Sequence, residues 1–202
     1  MFALVESGSI TKMLNGNRGI TVDGVQHPRT IFTLWTEAER NAIGIYNVEI
    51  DESKKKDEQW YVNTNITYTF SGGKVTGSYG DATAKAHADT LYTAQDETDG
   101  LGTEGDVKVE GLKTKLIRNV KAQAEGELNR TDWYVVRKAE EDTAIPSVIT
   151  THRKSVRSKQ AEMETAITNA SDTPALETLY TYTTQEDGST TRPLGELPTK
   201  DF

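Results

Sequence analysis

The chain has 202 residues, enough for one generous domain or two small ones with a real core. Hydrophobic side chains make up 35% and charged ones 27%, which points to a modest core beneath much solvated or partner-facing surface. With 31 acidic against 23 basic residues the formal charge is −8, a field that repels polyanions and argues against sequence-independent nucleic-acid binding. The absence of cysteine excludes disulfides and thiolate metal sites. No apolar run approaches the roughly 18 residues a membrane span needs, and the first residues lack the basic start and apolar stretch of a signal peptide. A soluble protein made in a cytoplasm is the expectation, with no nucleic-acid or membrane partner.

In chain order, the first 80 residues read as strands with one short helix. Ser9 to Leu14 and Gly19 to Val22 flank Asn15-Gly16-Asn17-Arg18, whose Asn-Gly step predicts a tight hairpin. Asp23-Gly24 offers a second turn. Thr36 with Glu39 three residues on forms a capping box, which predicts a helix start at that point. Tyr46, Val48 and Ile50 then alternate with polar residues. From position 59, Trp60, Val62, Ile66, Tyr68 and Phe70 are assigned to one strand face. With Val75 and Tyr79 after Ser71-Gly72-Gly73, the pattern predicts a three-stranded antiparallel meander with one wet side.

Residues 81–106 change character. Asp81 to Ala88 is alanine-rich, and Gln95 to Asp106 is glycine- and acid-rich with almost nothing apolar, so the segment reads as a linker.

Residues 107–184 read as helical. Val109, Leu112, Leu116, Val120 and Ala124 recur at three and four, one apolar stripe from about Val107 to Leu128. Gly111 and Gly126 each weaken that helix by about 1 kcal/mol, so it needs a packing partner. A second helix opens at Pro146, with Ile149, His152, Val156, Met163 and Ile167 as its stripe. The two stripes should face each other as a helical hairpin, with Trp133, Tyr134 and Val135 in the connection and the Trp133 ring over one end. A third helix starts at Asp172-Thr173-Pro174, and residues 185–202 form a polar, extended tail. The fold class is therefore α+β: an N-terminal antiparallel β-rich region with a short helix, then a C-terminal helical hairpin.

None of the three histidines, His27, His87 and His152, lies in a nucleophile or metal motif. The run Gly100-Leu101-Gly102-Thr103-Glu104-Gly105 satisfies the dinucleotide pattern G-x-G-x-x-G. It follows an acidic segment rather than a buried strand, so it reads as a glycine linker. Its carboxylates (Asp96, Glu97, Asp99, Glu104, Asp106) lack the EF-hand order and read as a solvated loop rather than a calcium site. A paired-carboxylate cleft, as a hydrolase would need, has no spacing support. No catalytic, cofactor-binding or metal-ligating residue is assigned.

The stretch Leu128-Asn129-Arg130-Thr131-Asp132-Trp133, followed by Ile145-Pro146 and then His152-Arg153-Lys154-Ser155-Val156-Arg157, resembles the phage tail assembly chaperone family. There a Leu-x-x-Thr-Asp-Trp segment precedes a proline-started helix bearing Tyr-Arg-x-x-Leu-Arg. Thr131-Asp132-Trp133 matches outright. His152-Arg153 stands for Tyr-Arg and Val156-Arg157 for Leu-Arg, so the tyrosine and leucine positions differ. The resemblance covers about residues 110–168. It implies a non-enzymatic bacteriophage tail accessory or structural protein that docks to tail-fibre or baseplate proteins, in the virion or in the host cytoplasm during assembly. On that reading Trp133, Arg153 and Arg157 are the candidate partner-binding residues, with the two arginines on the outward helix face; alternatively, Arg153 or Arg157 braces the turn at Asp132. The alternative is a receptor- or carbohydrate-binding module of the tail using an exposed aromatic face around Trp60, Tyr61 and Tyr68.

Overall fold

A computed structural model describes residues 1–201, which form two compact units, Met1–Thr83 and the remainder from Ala84. Strands dominate the first and helices the second, the α+β arrangement expected from the period-two and period-3.6 patterns.

In the first unit, β1 (Phe2–Glu6) turns through Ser7-Gly8 into β2 (Ser9–Leu14), its antiparallel partner. β1 also pairs with β5 (Ile45–Asp51), so it is interior to the sheet and covered on both faces. Its consecutive apolar residues divide accordingly. Leu4 joins Ile20, Ile31, Phe32 and Ile45 in one cluster, while Ala3 and Val5 join Val75 in the other. The first cluster is roofed by a separate hairpin, β3 (Ile20–Val22) and β4 (Val25–His27), and by helix α1 (Ile31–Leu34). The Asp23-Gly24 turn makes that hairpin. The expected Asn15–Arg18 hairpin does not form: β2 pairs with β1 and β3 with β4, because each strand finds a sequence neighbour on its other side.

Helix α2 (Glu37–Ala42) begins with the expected capping box. The Thr36 amide donates to Glu39 Oε2 at 2.7 Å, and the Glu39 amide donates to Thr36 Oγ1 at 3.3 Å. These bonds to Thr36 hold the Glu39 carboxyl below its ordinary pKa.

The meander is corrected in two ways. Residues 59–71 are not one strand but β6 (Tyr61–Val62) and β7 (Thr67–Ser71). Trp60 and Tyr61 are both buried while Val62 is exposed, so a single alternating face is not kept. β7 then folds back into β8 (Lys74–Ser78), which inserts beside β5 in parallel, giving the order β2-β1-β5-β8-β7. Gly77 makes that insertion possible. A Cβ there would lie within 2.9 Å of the Tyr68, Ile50 and Ile66 side chains, so any larger residue would force those side chains to shift where they converge.

The 81–106 segment, expected as a linker, carries structure instead. After β9 (Thr83–Ala84), strand β10 (Thr90–Leu91) pairs antiparallel with β11 (Val107–Val109), and the short helix α3 (Ala94–Thr98) lies between them. Thr93 and Asp96 cap α3 reciprocally. Asp96 also meets Lys108 Nζ at 2.6 Å. The Lys108 bond, with those from Thr93, holds the Asp96 carboxyl down to about 2. The acid-rich composition thus reflects capping and cross-hairpin pairing, a local use of polar residues that the linker reading missed.

Helix α4 (Leu112–Asn129) starts later than expected. Val109 lies exposed on β11 rather than in the stripe, and Gly111 is the N-cap rather than an interior helical glycine. Leu112, Leu116, Val120 and Ala124 are buried against α6 (Ser147–Asn169), whose Ile149, His152, Val156, Met163 and Ile167 are buried in turn. The helix pair is therefore as predicted, and Pro146 stands at the N-cap of α6. The expected connection is itself a helix, α5 (Asp132–Glu141). Helix α7 (Thr173–Tyr180) starts where predicted, with Asp172 accepting from the Ala175 amide at 2.8 Å. The tail is not simply extended. A hairpin of β12 (Thr183–Thr184) and β13 (Thr190–Thr191) precedes the buried Leu194, whose amide donates to Leu179 O.

Candidate interaction site

The candidate residues lie where α4 gives way to α5 and α6 packs alongside. At the end of α4 the chain reaches Thr131, which is wholly buried. A buried threonine hydroxyl must be bonded. Thr131 Oγ1 donates to Leu128 O at 3.0 Å and accepts from Arg153 Nη1 at 2.7 Å. Arg153 Nη1 also donates to Leu128 O at 2.8 Å, an end-of-helix carbonyl that also accepts from the Thr131 amide at 3.0 Å. The same guanidinium meets Asp132 Oδ1 at 2.8 Å. Asp132 sits in the first turn of α5, where a negative side chain is favoured by the helix dipole.

Arg153 is accordingly not an outward docking residue. It is buried on the inner side of α6, and its charge is spent on the Thr131-Asp132 turn. Arg157, one turn further along, is exposed and forms no ion pair among the described residues. The two arginines therefore do not act together: Arg153 braces the turn and Arg157 faces solvent.

Immediately before Arg153 on the same helix, His152 Nε2 lies 2.9 Å from Glu127 Oε1, both side chains being buried. Glu127 also accepts from the Lys200 amide at 3.2 Å and from Arg130 Nη1 at 3.2 Å. Burial pushes the Glu127 carboxyl up. The bonds from Lys200, Arg130 and His152 outweigh burial and hold it below the ordinary value. His152 thus works as a partnered core histidine, and the C-terminal segment is tied to the end of α4 through the same carboxylate.

Trp133 is the main surprise. The ring expected over the end of the helix pair is 51% exposed. It stacks on Tyr134 with centroids 3.8 Å apart, and the Arg137 guanidinium sits 4.7 Å from its centroid. Val135 and Val136 are exposed beside it, and α5 contains no buried residue at all. The reason is periodicity. Residues 133–136 are consecutive, so they spread around the helix instead of forming one stripe.

Of the three proposed site residues, the structure keeps Trp133 and Arg157 at the surface and takes Arg153 inside. Sequence reasoning missed Glu127 and Arg137, and it singled out Thr131 without giving its hydroxyl a role as the partner of Arg153. Glu127 carried a signal: a histidine on an apolar stripe needs a buried partner from the facing helix, and Glu127 is in reach of the α4 stripe.

Elsewhere, the aromatic face proposed for sugar binding is not formed, since Trp60 and Tyr61 are both buried. The Gly100–Gly105 run follows helix α3 and leads into strand β11, the reverse of the strand–loop–helix order a dinucleotide loop requires. Among the described residues, no group of three or more histidine and carboxylate side chains is placed to hold a metal ion. No described helix is long and apolar enough to cross a membrane. The chain matches no protein-family model, no curated protein and no solved structure.

Proposed function

We propose that this chain is a non-enzymatic bacteriophage tail protein that docks to tail-fibre or baseplate protein, as a virion part or as an assembly factor in the host cytoplasm. The observation that carries this reading is the exposed Trp133 ring, stacked on the half-buried Tyr134 and Arg137, on a helix with no fully buried residue. Tryptophan, tyrosine and arginine are the side chains that most often dominate binding energy at protein interfaces. The helix that bears them is anchored at its first turn by Arg153, so its aromatic face is held ready without being used internally. The Thr131-Asp132-Trp133 resemblance supplies the tail context. In this reading Thr131 and Asp132 fix the start of α5 and Trp133 makes the contact, with Arg157 as a charged neighbour on the next helix. The protein acts by burying surface on its partner.

The test is capture from a phage-infected lysate with the tagged chain, followed by mass spectrometry, alongside a search for the chain in purified virions. The wild-type chain should retain a tail-fibre or baseplate protein, and Trp133→Ala should lose it while keeping its circular dichroism spectrum. A chain that is absent from virions and retains no tail protein removes the proposal.

A further inference from the structure

The first unit contains a groove that the α5 reading does not use. Its volume is about 660 Å³, and it is lined by the continuous run of residues 12–21 together with Met1, Leu4 and Phe32. Continuity matters here. Successive side chains of a strand point to opposite faces, so a groove touching Lys12, Met13 and Leu14 in succession reaches the edge of β2 as well as the sheet face that carries Leu4. The same holds for Ile20 and Thr21 of β3.

Neither strand is hydrogen-bonded along its outer edge, although part of β2 approaches β7. β2 is the terminal strand of its sheet and is hydrogen-bonded to β1 alone, and β3 is hydrogen-bonded to β4 alone. The Asn15–Gly19 turn carries the chain from one strand to the other without pairing them. The groove floor is apolar: Leu4, Ile20 and Phe32 are all buried members of one cluster. The turn is fixed against that floor at Gly16, whose φ is +73° and where a Cβ would lie 3.3 Å from Phe32. Two cations, Lys12 and Arg18, line the groove, and neither meets a carboxylate among the described residues. On a chain with a net charge of −8, that is a local positive rim.

We infer that this groove takes an extended peptide of another protein, which adds as a strand along the open edges of β2 and β3. Main-chain hydrogen bonds to a strand edge supply affinity, and alternate side chains supply specificity. The apolar floor selects apolar residues at every second position, and the unpaired Lys12 and Arg18 select aspartate or glutamate at the positions between. This inference does not rest on the α5 reading, and either can fail alone.

The experiment scans an array of randomised hexapeptides with the full chain. Captured peptides are then measured in solution by fluorescence anisotropy and by hydrogen exchange. The expected result is enrichment of alternating apolar and acidic positions, with slowed amide exchange at residues 12–14 and 20–21. Lys12→Glu combined with Arg18→Glu, a change of two exposed side chains, should weaken binding by roughly tenfold or more. Absence of enrichment, enrichment of basic peptides, or equal binding by the double variant overturns the proposal. Saturable binding of dodecanoate in the groove, with peptides giving no protection of those amides, also overturns it and makes the groove a site for small amphiphiles.

Discussion

Helices α5 and α6 are neighbours in sequence and opposites in use. The α5 segment holds the densest apolar run of the second unit, Trp133 to Val136, yet buries nothing. The α6 segment is richer in polar residues, yet buries Ile149, Val156, Met163 and Ile167. The difference teaches that burial follows the spacing of apolar residues, not their number. Steps of three, four and seven keep a side chain on one side of a helix, and a contiguous run surrounds it. What α5 lacks in packing is offset in part at its first turn by the Arg153 brace from its neighbour.

The comparison is broken most sharply on the α6 side. Ile149 is 1% exposed, so Ile149→Ala should cost about 2–5 kcal/mol in denaturant unfolding followed by the helical signal. A loss as small as that of an exposed residue would mean that the α4–α6 seam is not the core of this unit.

Next in size is the brace itself. Arg153→Ala leaves the Thr131 hydroxyl and the Leu128 carbonyl with one partner fewer in a buried place, which should cost about 1–3 kcal/mol. Amide exchange in the first turn of α5 should quicken more than in the middle of α6. Uniform quickening through both helices would show that Arg153 supports the pair as a whole and does not specifically fix α5.

The Glu127 contacts are read out by pH. A carboxylate held below its ordinary pKa stabilises the fold above its unfolded pKa, and that stabilisation is lost as pH falls through the folded value. Stability of the wild-type chain should therefore fall on the acid side of the ordinary glutamate range. Glu127→Gln should be less stable at neutral pH and show a shallower fall below it. Parallel wild-type and variant profiles would contradict a role for this carboxylate.

The smallest effect belongs to Trp133. Because its ring is half exposed, Trp133→Ala should change stability by no more than about 0.5 kcal/mol. A loss of several kcal/mol, as burial would require, would return Trp133 to the core and withdraw it from the proposed interface.

Much of the fold was legible from local chemistry. The Thr36–Glu39 capping box, the Asp172 cap of α7 and the two facing stripes all declare themselves within a few residues, because each satisfies its own amides or repeats at the helical period. The site was legible in part. Thr131-Asp132-Trp133 marked the right turn and an arginine brace for it, but which arginine supplies the brace did not follow from the letters. Arg153 and Arg157 share a spacing that puts them near one face, and only the position of Thr131 across the helix pair makes one a brace and leaves the other in solvent.

By itself, then, the sequence determined the α+β division, the starts of α2, α6 and α7 and most residues of the α4–α6 seam, since these depend on period and on bonds within one turn. Tertiary structure alone decided the strand order with β8 lying parallel beside β5, the structured state of residues 81–106, and the exposure of Trp133. Those outcomes depend on contacts between residues far apart in the chain. The space left by Gly77 among Ile50, Ile66 and Tyr68 exists only once the strands have met. Likewise, an aromatic ring is buried only if some other element arrives to cover it.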